Sequence, residues 1–305
     1  MPRPPMSRLR ANALLLLAAL IWGSAFVGQA QGMAGVGPLT FTGLRFVLGT
    51  LVVLPLAWRE WQQLQAAGHR PGRAELGWVL LLGGLLCTGV VMQQIGLMST
   101  RVTNAGFLTA LYVPLVPLLA WIFQRQLPHW SVWPAAAGSL AGVWMLTGAS
   151  PAALTPGDGW VLLSALPWAV HVLLVGQVAN RLRGAYLLAC GQFAVCALIA
   201  GLLGAATESV SAAGLRTAAG AILYTGILSV GVGFTLQVVG QRLAHPADAA
   251  IILSSETVFA ALFGAWLMGD RLDSLGLAGC ALILGCILAV QVLPLWRRRL
   301  ALDAR

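Results

Sequence analysis

Residues Leu108–Phe123 read Leu-Thr-Ala-Leu-Tyr-Val-Pro-Leu-Val-Pro-Leu-Leu-Ala-Trp-Ile-Phe. No charge interrupts them, and no polar stripe at period 2 or 3.6 gives the segment a wet face. A helix that is apolar all round is buried, either in a protein core or in lipid. Composition decides between the two. Of 305 residues, 59% are hydrophobic and only 9% charged, and the mean hydropathy is +0.85. A soluble domain carries about 25% charged residues. This chain cannot cover its own surface in water, so lipid is its solvent.

Working outward from that stretch, ten segments reach the roughly 20 apolar residues that a bilayer-spanning helix needs. They are Asn12–Ala30, Leu39–Trp58, Leu76–Met98, Asn104–Phe123, Trp130–Thr147, Trp160–Val178, Ala185–Gly204, Ala218–Gly240, Ala247–Leu267 and Ser274–Leu293. The longest connection, Arg59–Glu75, leaves no room for a soluble domain. The alternation of transmembrane β-strands is missing. The expected fold is an all-α integral membrane bundle of ten transmembrane helices.

All 18 basic residues are Arg. Without Lys there is no retinal or pyridoxal Schiff base and no Walker-type phosphate loop. With the N-terminus in the cytoplasm, 14 Arg fall in inner segments and 3 (Arg101, Arg216 and Arg271) in outer loops, while Arg45 lies within a span. This is the positive-inside pattern of an N-in, C-in protein, expected in a bacterial-type cytoplasmic membrane. The net charge of +9 is therefore a topology signal and an attraction to anionic lipid heads rather than a mark of nucleic-acid binding. The N-terminus has the Arg-rich start and apolar core of a signal peptide. The first segment is long enough to span, however, and has a counterpart in the second half, so it reads as an uncleaved helix. The five Cys lie inside spans without C-x-x-C spacing, which gives no expectation of metal or disulfide chemistry, and no cofactor is implied.

Ten helices with both ends inside divide into five and five of opposite topology: 1–150 and 151–305. An offset of 143 aligns Gln94 with Gln237 and sets Leu111–Pro114 against Ser254–Thr257; an offset of 146 aligns Trp22 with Trp168. Inverted repeats of this kind are a feature of secondary transporters.

Several short segments carry a resemblance. They are Trp22-Gly23-Ser24-Ala25-Phe26, Leu44-Arg45-Phe46, Asn104–Thr109 with Pro114 and Pro117, Glu256-Thr257, and Gly269-Asp270-Arg271-Leu272 before a Gly-rich last span. In order and spacing they resemble the EamA-type transporters of the drug/metabolite transporter superfamily, over about residues 12–293. The resemblance implies ten helices in two inverted five-helix units around a central solute cavity, and export of amino acids, nucleobase-like metabolites or drugs. Two departures stand out. Asp270 takes the place of a usual Glu, and Glu256-Thr257 replaces Glu-Pro, which leaves the break in that helix open.

Ionisable groups inside a membrane are costly and need a reason. Glu256, near midplane, either binds a proton or a substrate ammonium in the cavity, as the coupling residue, or holds helix packing. His171 is either a cavity group or a hydrogen-bonded packing group. Arg45 either snorkels outward or binds a substrate carboxylate, with Glu256 as a partner it could pair with. Trp22, Trp168 and Tyr112 are candidates for an aromatic cavity wall, and Gln94 and Gln237 for a matched pair of lining amides. Asp248 reads as a cap, and Asn104 as a cap or a cavity residue. Pro114, Pro117 and Pro167 are candidate hinges. Gly28/Gly32 and Gly138/Gly142 form G-x-x-x-G spacings, for internal packing or a homodimer face. Other Trp residues, among them Trp58, Trp130, Trp133 and Trp160, read as an interfacial belt.

The function these features suggest is a secondary transporter that exports small amphipathic solutes by alternating access. An uncoupled facilitator or a channel is the alternative. An enzyme would need clustered His, Asp or Glu groups, and the four His are scattered.

Overall fold

The computed structural model describes residues 8–125, 130, 132–146, 155–244 and 246–303. All regular structure among them is helical. In order the helices are α1 (Arg8–Gly32), α2 (Pro38–Ala66), α3 (Arg73–Gly96), α4 (Val102–Thr109), α5 (Tyr112–Gln124), α6 (Val132–Leu146), α7 (Pro156–Leu182), α8 (Ala185–Thr207), α9 (Ala212–Tyr224), α10 (Thr235–Gln241), α11 (Pro246–Leu253), α12 (Glu256–Phe263) and α13 (Ser274–Asp303). Wider π-helical turns join α9 to α10 over Thr225–Phe234 and continue α12 over Gly264–Met268.

Seven runs are long and apolar enough to cross a bilayer: Leu9–Gly32, Pro38–Ala66, Arg73–Gly96, Val102–Gln124, Pro156–Leu182, Ala185–Thr207 and Ala212–Gln241. They answer seven of the ten expected spans. At the places of the other three lie shorter apolar helices, below the length of a full span: α6, the run Glu256–Met268, and Ser274–Cys286 at the start of α13. The chain exposes large apolar side chains along its flanks, such as Leu51, Leu198, Leu202 and Trp266. In a membrane protein that is the lipid-facing surface. Trp58, Trp130, Trp133 and Trp160 are exposed too, in keeping with a belt.

Neighbour relations come in exchanged pairs. Helix α2 packs on α8, and α6 on α13. The packing of α3 on α7 is answered by that of α1 on α9 and α10, and the packing of α4 on α12 by that of α5 on α11. The α2–α8 pair is capped at both ends by carboxylates supplied in trans. Glu208, just past α8, accepts from the backbone N–H of Leu39 (2.9 Å) and Thr40 (2.8 Å) at the start of α2. Glu60, late in α2, accepts from the N–H of Ala185 (3.1 Å) and Leu187 (2.8 Å) at the start of α8. The first N–H groups of a helix have no partner within it, and negative charge there is favoured by the helix dipole. Neither helix start carries a side-chain cap of its own, so each partner fills the other's need.

Both G-x-x-x-G stripes face inward. A Cβ at Gly28 or Gly32 would meet Tyr224 and Thr225 or Phe41, and one at Gly138 or Gly142 would meet α13 at Cys286 or Ile283. These stripes serve internal packing.

Candidate functional site

Two spans are broken near their middle. Helix α4 stops at Thr109 and α5 starts at Tyr112. Pro114 lacks an N–H, and its ring crowds the carbonyl four residues back, at Ala110. That carbonyl instead takes a tighter bond from the N–H of Val113, at 3.0 Å. Pro114 thus sits at a break, whereas α5 and α7 run on through Pro117 and Pro167. The second break separates Leu253 from Glu256 without a proline. Three-residue bonds from Ser255 to Ile252 (3.2 Å) and from Thr257 to Ser254 (3.0 Å) tighten the chain there. Tyr112 and Glu256 are the first residues of the two second half-helices, 144 positions apart. The same distance separates Arg125 and Gly269, the left-handed residues that end α5 and the turn after α12.

Both breaks open on one partly enclosed cavity, whose roughly 490 Å³ of non-atom space includes open solvent. Its wall is aromatic. Trp168 stacks on Phe234 with ring centroids 5.8 Å apart, and Phe234 meets Trp22 at 4.6 Å. Trp22 donates its indole N–H to the carbonyl of Ser229 at 3.2 Å, in the π-helical segment that also carries Phe234. Polar lining comes from Gln29, Gln93, Thr109, Tyr112 and Gln237, and charge from Arg45 and Glu256. Arg45 is 2% exposed, and its guanidinium lies 5.5 Å from the rings of both Phe41 and Phe46. Several polar lining atoms have no protein partner: Gln29 Oε1, Arg45 Nε, Trp168 Nε1 and Gln237 Oε1. Unsatisfied buried polar groups cost about 1–3 kcal/mol each. A set of them around one cavity is what a polar solute, or the water it displaces, would satisfy. Arg45 and Glu256 share the cavity but form no ion pair with each other.

Of the side chains that the sequence nominates, Trp22, Arg45, Tyr112, Trp168, Gln237 and Glu256 are brought together here. Gln94 and His171 do not line the cavity; for His171 this is the packing alternative. Gln94 turns away and donates to the Gln29 carbonyl at 3.2 Å; its neighbour Gln93 lines the cavity and donates to Thr109 Oγ1 at 2.9 Å. Gln93 and Gln237 are 144 apart. An offset of 144 pairs the two lining amides; it differs from 143 by one residue, which on a helix of 3.6 residues per turn is about 100° of rotation. His171 is fully buried behind the wall, hydrogen-bonded through Nε2 to Gln192 Oε1 at 2.9 Å and edge-on to Trp168. It supports Trp168 from outside the cavity. Phe26 and Gln29 escaped the sequence reading, although with Trp22 they fall at i, i+4 and i+7 on one face of α1.

Asn104 and Asp270 lie away from the cavity. Asn104 donates to Asp158 Oδ1 at 3.4 Å, and Asp270 caps the start of α4. Asp248 falls in the first turn of α11, with its side chain outside the described residues. The five Cys are free thiols, and no group of three or more His, Cys, Asp or Glu among the described residues forms a metal cluster.

Comparison with known proteins fits this architecture. A solved crystal structure superposes with a TM-score of 0.68 at 20% identity, over 94% of this chain and 99% of that one, a likeness of fold. An uncharacterized transporter of Archaeoglobus fulgidus is 29% identical over 288 residues, covering 94% of this chain and 87% of that protein. The uncharacterized transporter YwfM of Bacillus subtilis is 24% identical over 292 residues, covering 93% and 94%. The profile of one family matches twice in tandem, over residues 9–148 and 155–291, and together the two matches take in nearly the whole sequence. The chain is a membrane protein and belongs to the EamA-like transporter family.

Proposed function

We propose that this chain is a secondary transporter that exports small amphipathic solutes, such as amino acids or drug-like compounds, by alternating access to the cavity between its broken helices. The observation that carries this reading is the cavity's chemistry. One buried cation, Arg45, and one buried acid, Glu256, stand unpaired with each other beside an aromatic wall and unpartnered amide oxygens. A zwitterion with an apolar side chain would meet all three kinds of group. Its carboxylate would meet Arg45, its ammonium Glu256 and the Gln29 and Gln237 oxygens, and its side chain Trp168, Phe234 and Trp22. Glu256 also serves as the site of proton coupling.

The tandem family match and the exchanged packing pairs support two five-helix units, 1–150 and 151–305, of inverted orientation. The Arg distribution supports both termini in the cytoplasm and a cytoplasmic-membrane location. Alternating access then follows as an exchange of roles between two similar halves around one fixed site.

The test is flux in liposomes of the purified protein. A panel of labelled amino acids, nucleobases and cationic drugs is assayed with and without a pH gradient, with Glu256→Gln in parallel. Gradient-driven, saturable flux that the substitution removes is the expected result. Saturable exchange indifferent to pH and to Glu256 sinks the coupling role and leaves a facilitator. Flux that never saturates and shows no counterflow sinks the carrier.

A further inference from the structure

Asp270 and Thr103 take no part in the cavity, yet they join the two half-helices that reach it. Asp270 Oδ2 accepts from the Thr103 backbone N–H at 2.9 Å and from Thr103 Oγ1 at 2.8 Å. The bond closes the start of α4, where Arg101 supplies no side-chain cap. Helix α4 runs from this bond to Thr109 at the cavity, and α12 runs from Glu256 at the cavity back to the turn that carries Asp270. Between those ends the two helices touch closely. A Cβ on Gly106 of α4 would lie 2.7 Å from Ala260 Cβ of α12. Gly264, at the end of α12, leaves room for the bond itself, since a Cβ there would lie 2.8 Å from Asp270 Oδ2. The same rim is knit further by Arg101 Nη1, which donates to the Arg271 carbonyl at 3.0 Å, and by Thr100 and Asn104, which donate to Asp158.

The repeat puts α5 and α11 in the corresponding places on the other rim. With the separation of 144 set by Tyr112 and Glu256, Asp270 corresponds to Gln126 and Thr103 to Ala247. Neither of these two residues carries a carboxylate or a hydroxyl, although Asp248, whose side chain is outside the described residues, follows Ala247. One rim carries a charge-assisted tie between the halves, and the two residues that correspond to its partners in the repeat cannot make it.

We propose that the Asp270–Thr103 bond is a latch that holds this rim of the cavity shut at rest and so sets which side of the membrane the cavity faces. The inference rests on the transport reading above. With the termini in the cytoplasm the latched rim is the outer one, and the resting cavity is offered to the cytoplasm, as an exporter needs for loading. Opening outward breaks a bond between a carboxylate and two donors; at the other rim the corresponding residues, Gln126 and Ala247, cannot form that bond.

Cavity access tests the latch independently of flux. Val90→Cys, on a full chain whose five native Cys are replaced, places a thiol in the lining. Its labelling by a membrane-impermeant thiol reagent is timed in vesicles of both orientations. Asp270→Asn is expected to speed labelling from the latched side by roughly tenfold or more, as for loss of a charge-assisted hydrogen bond, and to slow it from the other. Thr103→Val, which removes the hydroxyl and keeps the backbone donor, shifts both rates the same way by less. Gly264→Ala, which pushes the carboxylate aside, does likewise, and these two carry the test if Asp270→Asn does not fold. Rates unchanged in all three variants overturn the latch, as does a rise from both sides together, which marks loosening instead of switching. Flux in the same vesicles is a separate readout. If the unmodified chain moves no solute while the Val90→Cys chain with Asp270, Thr103 and Gly264 intact still labels, the transport reading is overturned and the latch result stands.

Discussion

Arg45 is a guanidinium almost fully buried between two phenyl rings, with one N–H unpartnered. A planar, weakly hydrated cation suits that place, whereas an ammonium would lose the stacking and the fork of donors. We expect Arg45→Lys to raise the KM for carboxylate-bearing solutes about tenfold and Arg45→Met to raise it up to about a hundredfold, since a hydrogen bond to a charged group contributes about 1.5–3 kcal/mol. Both variants should retain flux of cationic amphiphiles. Equal loss for both solute classes would show Arg45 to be structural. The glutamine pair gives a second check. Gln93→Leu should lower flux about tenfold, because it removes a lining amide and the partner of Thr109. Gln94→Leu should change KM little and act on thermal stability instead, because Gln94 holds the α1 backbone from outside the cavity. The reverse order in a flux assay would restore the 143 register. From sequence the two residues are indistinguishable neighbours in an apolar helix, and only the packed face separates them.

At the scale of helices, breaks and caps do the positioning. Pro114 causes the α4–α5 break by removing one bond and crowding Ala110. With Pro114→Ala the backbone can run through, which draws Thr109 and Tyr112 off the cavity. The expected outcome is a folded protein with an unchanged or higher Tm and flux reduced about tenfold or more; wild-type flux would mean that the break is incidental. The α2–α8 pair makes a different kind of test. Glu60 and Glu208 each use both carboxylate oxygens on backbone N–H groups. An amide in either place turns an acceptor into a donor that faces another donor. Each Glu→Gln should cost about 1 kcal/mol, the usual size of a cap. Because the two caps sit at opposite ends of the pair, the double variant should sum the single effects within about 0.5 kcal/mol, read from thermal unfolding in detergent. Strong non-additivity would mean that the caps act through a shared rearrangement.

For the whole molecule, hydropathy already lays out the order of the helices, because lipid imposes a single-residue criterion that survives without tertiary contacts. The aromatic wall was half legible, since Trp22 and Trp168 fall at corresponding places in the two halves. What the sequence hid is long-range and polar. The donors capped by Glu60, Glu208 and Asp270 lie more than a hundred residues away in the chain, and nothing local distinguishes a trans cap from a surface carboxylate. The burial of His171 behind Trp168 depended likewise on where Gln192 comes to rest. The same whole-molecule reasoning gives a last prediction. If 14 of 18 Arg mark the cytoplasmic side, then Gln65, in the last turn of α2 at its inner end, and Ser209, between α8 and α9, face opposite compartments, and both are exposed. In intact cells an impermeant thiol reagent should label Ser209→Cys and spare Gln65→Cys until the membrane is opened. The opposite pattern would invert the molecule. It would place the Asp270–Thr103 latch on the cytoplasmic rim and turn a carrier poised to load from the cytoplasm into one poised to load from outside.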